Sequence, residues 1–259
     1  MLKGVSHVHT TYSFDGKLTP EELQAFFAAR GIQFVLLSEH IESLDAASIN
    51  SLIAECSRVS NNECVLVPGI EVDEMNLLIF GIREVRPYDS IDDLIQICRG
   101  QGALLGYAHP VKKHAVPPAV MEMIEGFEVW NTRYDGKLMP RQSNVVLFQS
   151  LLRQNQNLRP LVGLDFHKPS DYALVFMKVD CGLPSDVLST IRAGRYSLHE
   201  SSKAIQVYPG RRSFGAWAAT AKGTMYTHVY DLAVSWHRWL SRCGIPVPRM
   251  VKMALKKIF

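Results

Sequence analysis

Six short apolar runs, each ending on or just before a histidine, a carboxylate or an asparagine, constrain this chain more than any other feature. The runs are Gly4–His9, Phe34–Ser38, Val65–Ile70, Ala103–Ala108, Gly126–Trp130 and Pro160–Leu164. Between them the stretches 19–30, 45–60, 90–101 and 140–155 carry helical spacing. The first of these opens on Thr19-Pro20-Glu21-Glu22, an N-cap, an N1 proline and an acidic first turn. Leu77–Ile82 is extended and close enough to the third run to pair with it as a hairpin. Tyr172–Val179 reads as a late strand, and Pro184–Ala193 as a helix stopped by Gly194. Repeated strand–helix alternation predicts a parallel sheet.

The polar residues at the run ends recur with the same rhythm. From His9 they are His40, Glu71, His109, Asn131 and Asp165, in steps of 31, 31, 38, 22 and 34 residues. One strand–helix unit is about that long, so each step returns the chain to one end of the sheet. In a barrel that end is the rim where catalytic residues gather. In His7-x-His9 and Asp165-x-His167 an extended backbone points both side chains to one face, where they reach one metal or two adjacent ones. Imidazole with carboxylate suits zinc, manganese or iron, and the lack of thiolates argues against a closed structural zinc site. The sequence holds no GxSxG, HExxH, P-loop or GxGxxG motif for a competing chemistry.

Composition narrows the class. With 47% hydrophobic and 20% charged residues, long disorder, collagen and disulfide scaffolds are excluded. The length of 259 suits one large α/β barrel, or a domain of roughly 200 residues with an appendage. No run of 18 apolar residues predicts a membrane span, and polar sequence from Ser6 replaces the apolar core of a signal peptide. Five cysteines without a CxxC pair read as reduced thiols and predict a cytoplasmic location. The net charge of +3 conceals a division at about residue 203. Residues 203–259 carry ten Lys/Arg against Asp231 alone, giving +9, which leaves −6 for residues 1–202. This predicts an acidic or metal-binding body (1–202) with a basic, mainly helical extension (203–259) that seeks an anionic partner, or is simply solvated. Trp217, Tyr226, Tyr230, Trp236 and Trp239 are dense for a solvated linker, and part of that set is expected to pack against the body. At the end, Arg249, Lys252, Lys256 and Lys257 fall opposite Val251, Ala254, Leu255 and Ile258 on a helical wheel. Such a helix suits an anionic membrane surface. Nucleic acid is the less favoured partner, because the aromatics are not interleaved with the lysines.

The segments HVHTTYSFDGKLTPEEL, LSEH, PGIEV, YAHP and GLDFH resemble the successive motifs of the polymerase and histidinol phosphatase (PHP) family of metal-dependent phosphoesterases. The resemblance runs over roughly residues 1–200 and implies a distorted seven-stranded (β/α) TIM-like barrel with two or three divalent metals at its rim. It implies that His7, His9, Glu71 and Asp165 hold one metal. Glu71 would bridge to a second that also takes His109, and Asp15, His40 and His167 would hold a third. Asn131 stands where some members have a further histidine or cysteine ligand, and SFDG is one residue longer than the SDG form of the first loop. Glu39 is expected to orient a ligand imidazole, or else to lie on the surface. Asp15, Glu71 and Asp165, with a metal-bridging hydroxide, would carry the hydrolysis of a small phosphomonoester, and Arg133, Lys112 and Lys168 are candidates to hold its phosphate. Histidinol phosphate, nucleotides and phosphotyrosine are the competing substrates. A metal-bound regulatory or membrane-docking module without turnover is a second class of function open to such a chain, and hydrolysis of a carbon–nitrogen bond is a third.

Overall fold

The computed structural model describes residues 1–110 and 116–205, Val207, and positions 225, 228–229, 231–233, 235–237, 239–240 and 242–243. The strands are β1 (Leu2–Val8), β2 (Phe34–Leu37), β3 (Glu39–His40), β4 (Val65–Val67), β5 (Gly69–Val72), β6 (Leu77–Phe80), β7 (Leu104–Tyr107), β8 (Gly126–Asn131), β9 (Arg159–Phe166), β10 (Val175–Val179), β11 (Tyr196–Glu200) and β12 (Lys203–Ala204). The helices are α1 (Pro20–Ala28), α2 (Ala46–Val59), α3 (Ile91–Gly100), α4 (Pro118–Met121), α5 (Thr132–Asp135), α6 (Gln142–Leu151) and α7 (Val187–Arg192). Thr19 caps α1 in a full capping box with Glu22, as its sequence predicts. Gly194, at φ +70°, follows α7.

All twelve strands join one mixed sheet. Parallel pairs link β1 to β2 and β9, β2 to β4, β3 to β5, β7 to β8, and β8 to β9. The expected hairpin forms: β6 runs antiparallel to β5, and then to β7. The late strand β10 runs antiparallel to the first half of β1, and β11 and β12 extend that edge. The distorted seven-stranded TIM-like barrel that the resemblance implies is therefore met as a twelve-stranded mixed sheet without a continuous closed ladder. Single residues, Ser38 and Pro68, separate β2 from β3 and β4 from β5. Proline has no N–H to offer a ladder, which accounts for the second break.

The parallel strands are apolar on both faces, and Phe34, Val35, Leu36 and Leu37 are all fully buried. Helices α2 and α3 turn Ile49, Leu52 and Cys56, and Leu94, Ile95 and Cys98, onto that core. The basic extension meets the body where Arg141 Nη1 donates to Asp231 at 2.6 Å, and where Gln149 Nε2 donates to the Val207 carbonyl at 3.1 Å. Trp236 and Trp239 are instead 50% and 56% exposed, so the expected packing of the aromatic set does not extend to them. Trp217, Tyr226, Tyr230 and the basic helix at 249–259 lie outside the described residues. No helix among the described residues is long and apolar enough to cross a membrane.

The five cysteines are free thiols, and their settings differ. Burial pushes the Cys64 and Cys98 thiols up to about 12 and raises that of Cys56 too, whereas Cys243 is exposed. Since the thiolate is the reactive form, an aromatic disulfide reagent is expected to modify Cys243 in the native protein. Cys56, Cys64 and Cys98 should react only after denaturation. Modification of these three under native conditions would contradict the packing.

Candidate metal centre

The polar ends of β1, β3, β5, β7 and β9 converge as the sequence rhythm predicts. Among the expected ligands, three groups of atoms lie close enough to share an ion: His7, Glu71 and His109; His7, His9 and Asp165; and His9, His40 and His167. Glu71 is the hub. Its Oε1 lies 2.7 Å from His109 Nε2, and its Oε2 lies 3.1, 3.6 and 3.7 Å from His7 Nε2, His9 Nε2 and His40 Nδ1. Asp15 reaches in from the first loop, 2.9 Å from His167 Nε2 and 3.6 Å from His40 Nε2. The eight residues expected as ligands are thus gathered in one place. The structure adds Asp73, whose Oδ2 lies 3.0 Å from His40 Nδ1, and groups it with Glu42 at the edge of the cluster.

Regular extended backbone is not what turns His7 and Asp165 inward. Among the described residues, five non-glycine positions have positive φ, and three are in the cluster: His7 (+60°), His109 (+29°) and Asp165 (+50°). The register of β1 shifts between Ser6 and Val8 against both neighbours, the mark of a bulge at His7. Left-handed backbone at such residues costs about 1–3 kcal/mol each and persists only where surrounding contacts enforce it.

Glu128 supplies those contacts. It is fully buried in the middle of β8; Oε1 lies 2.8 Å from His7 Nδ1, and Oε2 accepts the His109 N–H at 2.8 Å. Asn131 Nδ2 donates to the same Oε2 at 3.0 Å and lies 3.4 Å from Asp165 Oδ2. All three strained positions are therefore tied to one glutamate–asparagine pair. Burial alone would raise the carboxyls of Glu71 and Glu128, but His7 and His109 outweigh it and hold both below their ordinary value. Burial likewise opposes the charge on His7, yet Glu128, Glu71 and Asp165 raise its pKa well above normal. His9 goes the other way, lowered by burial and by the neighbouring His7.

Glu39 is buried, which excludes the surface position. It accepts the backbone N–H of Thr10 at 3.0 Å and hydroxyls from Thr10 at 2.7 Å and Ser13 at 2.6 Å. Ser13 Oγ lies 3.2 Å from His9 Nδ1. With the Ser13 hydrogen committed to Glu39, Ser13 Oγ accepts from His9 Nδ1–H. His9 Nε2 is then left as a bare acceptor aimed at the cluster. That atom is buried and has no hydrogen-bond partner.

The phosphate-binding candidates divide. Arg133, on α5 directly after β8, touches His167 Nδ1 and lies 3.6 Å from Asp165 Oδ1, with its side chain 44% exposed. Asn131 caps α5, and buried Asp135 anchors it through Arg141 Nε and Asn144 Nδ2. Burial pushes the Asp135 carboxyl up to about 7, against these hydrogen bonds. Lys168 is exposed beside His167, and Lys112 lies outside the described residues.

No family model matches the sequence, and no curated protein matches it. Among solved structures, the chain is similar to a two-domain protein from Bacteroides vulgatus containing a predicted PHP-like metal-dependent phosphoesterase. The TM-score is 0.57 at 18% identity, covering 79% of this chain and 66% of that one. It is also similar to PsfC from Pseudomonas syringae, with a TM-score of 0.52 at 12% identity, covering 90% of this chain and all of that one. The chain thus spans about two thirds of the first of these proteins and the whole of the second. The resemblance read from the motifs holds at the level of the fold. The chain shares the mixed α/β fold of these neighbours, and the histidine–carboxylate cluster at its strand ends fits divalent metal ions.

Proposed function

We propose that this protein is a metal-dependent phosphoesterase that hydrolyses a phosphomonoester, a small phosphorylated metabolite or a nucleotide. The observation that carries the reading is the set of three overlapping ligand groups around Glu71, with the bare, buried Nε2 of His9 among them. A hydrophobic interior does not retain such an acceptor without a partner at low cost, and a divalent cation is the partner that its carboxylate neighbours suit. We read the pairing circuit β1–β2/β3–β4/β5–β6–β7–β8–β9–β1 as the distorted seven-stranded barrel, interrupted at Ser38 and Pro68.

In this reading His7, His9, Glu71 and Asp165 would hold one ion, Glu71 with His109 a second, and Asp15, His40 and His167 a third. Zinc, manganese and iron all suit these donors. When bound, the ions polarise phosphoryl oxygens and lower the pKa of the attacking water from ~15.7 towards ~7. The chain's own residues do the rest. Asp15, Glu71 and Asp165 supply the negative charge that holds the ions. Glu128 and the Glu39–Ser13 pair fix the rings of His7 and His9. Arg133 grips the phosphate from the open side, with Lys168 and Lys112 as further cations at the rim.

The test is a screen of phosphomonoesters on protein loaded with manganese or zinc, including histidinol phosphate, nucleoside monophosphates and phosphotyrosine. Turnover with solvent oxygen in the released phosphate supports the reading. No hydrolysis with any metal contradicts it and leaves a non-catalytic metal module, whereas a trapped phosphohistidine contradicts direct attack by water. In the same assay Arg133→Ala is expected to raise KM about tenfold or more, the worth of a charge-assisted hydrogen bond, with metal content intact. Wild-type KM would remove Arg133 from the site.

The partner proposed for the basic extension is an anionic membrane surface, with the protein cytoplasmic and peripheral to it. Met225, Val229, Leu232, Trp236 and Trp239 recur at three- and four-residue steps, and each is at least half exposed. The described positions among 225–240 are helical, and on a helix steps of three and four residues place side chains on one face. Weak, salt-sensitive binding to anionic vesicles is expected, at ~1 kcal/mol per basic residue near the surface, and it should be lost when 245–259 are deleted. Equal binding by the full and shortened chains would contradict it.

A further inference from the structure

We infer that Phe14 is a specificity-determining residue: an aromatic platform that favours phosphate esters whose leaving group carries a flat ring next to the phosphate. The inference rests on the phosphoesterase reading for the place of the phosphate. The platform itself rests on the first loop.

Phe14 is 71% exposed, yet its position is fixed. Its backbone N–H donates to Ser43 Oγ at 3.2 Å. Its two neighbours are bound into the cluster, Ser13 through Glu39 and the His40 N–H, and Asp15 through His167 and His40. The loop is closed at its base, where Thr11 N–H donates to Leu18 O at 2.9 Å. Gly16 sits so close to Thr10 that an added Cβ would lie 1.8 Å from the Thr10 carbonyl oxygen.

One face of the Phe14 ring stacks on His40, with centroids 4.9 Å apart and planes at 23°. The series continues inward: His40 stacks on His9 at 4.4 Å, and His9 on His167 at 4.2 Å. Arg133 touches His167. His40 and His167 both stack on His9 and lie 6.0 Å from each other, so the exposed aromatic and the exposed guanidinium border one compact group of three imidazoles, Phe14 at His40 and Arg133 at His167. A phosphate held between the cluster and Arg133 leaves its ester substituent room to extend toward Phe14. A single exposed apolar residue is ordinary. One pinned at the mouth of a cation-binding cluster, with a ring face to solvent, is placed to stack on a ligand. Offset stacking of two rings tightens binding by about two- to tenfold beyond the area it buries.

The experiment measures equilibrium binding of two non-hydrolysable probes, phenylphosphonate and methylphosphonate, to the manganese-loaded protein, alongside hydrolysis of phenyl phosphate. The wild type should bind phenylphosphonate about fivefold to tenfold more tightly than methylphosphonate. Phe14→Ala should reduce that ratio towards one, and Phe14→Tyr should keep it. An unchanged ratio in Phe14→Ala, or no preference in the wild type, overturns the platform. A preference that depends on Phe14, in a protein that hydrolyses neither phenyl phosphate nor any phosphomonoester of the screen, supports the platform and removes the phosphoesterase reading instead.

Discussion

Glu71→Gln is expected to reduce phosphoester hydrolysis by about a thousandfold and to empty the neighbouring metal positions with it. Among the described residues Glu71 alone turns its two oxygens on four imidazoles, at 2.7–3.7 Å from His109, His7, His9 and His40. Several kcal/mol of stabilisation for the developing phosphoryl charge depends on the ions it would hold, and each 1.36 kcal/mol is tenfold in rate. The amide keeps the volume of the carboxylate and removes its charge, so a folding defect is separated from the loss of ligation. Near-normal turnover with metal retained would remove Glu71 from the centre of the account.

Gly163→Ala should damage the same centre without touching a ligand. Gly163 lies on β9 beneath the cluster, and a Cβ there would sit 1.8 Å from Glu128 Oε1 and 3.1 Å from His7 Cβ. Glu128 cannot move aside without releasing His7 Nδ1 and the His109 N–H. Metal affinity is expected to fall ten- to hundredfold, the usual effect of losing a group that orients a ligand. Forced overpacking of about 1–3 kcal/mol should lower Tm by roughly 5 °C. Gly100→Ala is the matching control, because a methyl there meets nothing within 4 Å. Equal metal affinity in the two variants would show that Glu128 does not govern the site.

What was legible in the sequence and what was not follow from the same backbone feature. His9, His40, Glu71, His109 and Asp165 were found because they end apolar runs at intervals of one strand–helix unit, and hydropathy records that rhythm. The pairing in His7-x-His9 was right in outcome and wrong in cause. A bulge with left-handed backbone turns His7, and residue type marks positive φ at histidine or aspartate only as a weak enrichment. The residue that stabilises those turns, Glu128, was overlooked although GFEVWN displays it, a carboxylate in the middle of a strand with no polar alternation. A charge in such a place has to be paired. Asp73 escaped for a different reason, since it lies in the short turn between β5 and β6, where no periodicity applies. The strand count was missed at the edges, where β11 and β12 are short and half-exposed, at Pro68, which divides a run that reads as continuous, and after Ser38, where β3 follows a run that reads as ended.

Metal content tests the central claim most directly. Protein reconstituted with manganese or zinc and dialysed free of excess should hold two or three ions per chain by elemental analysis. His9→Ala removes the bare Nε2 shared by two of the three ligand groups, so that variant should lose bound metal and phosphoester hydrolysis together. Full metal occupancy in His9→Ala, or a wild-type chain that retains no metal after reconstitution, would contradict the account.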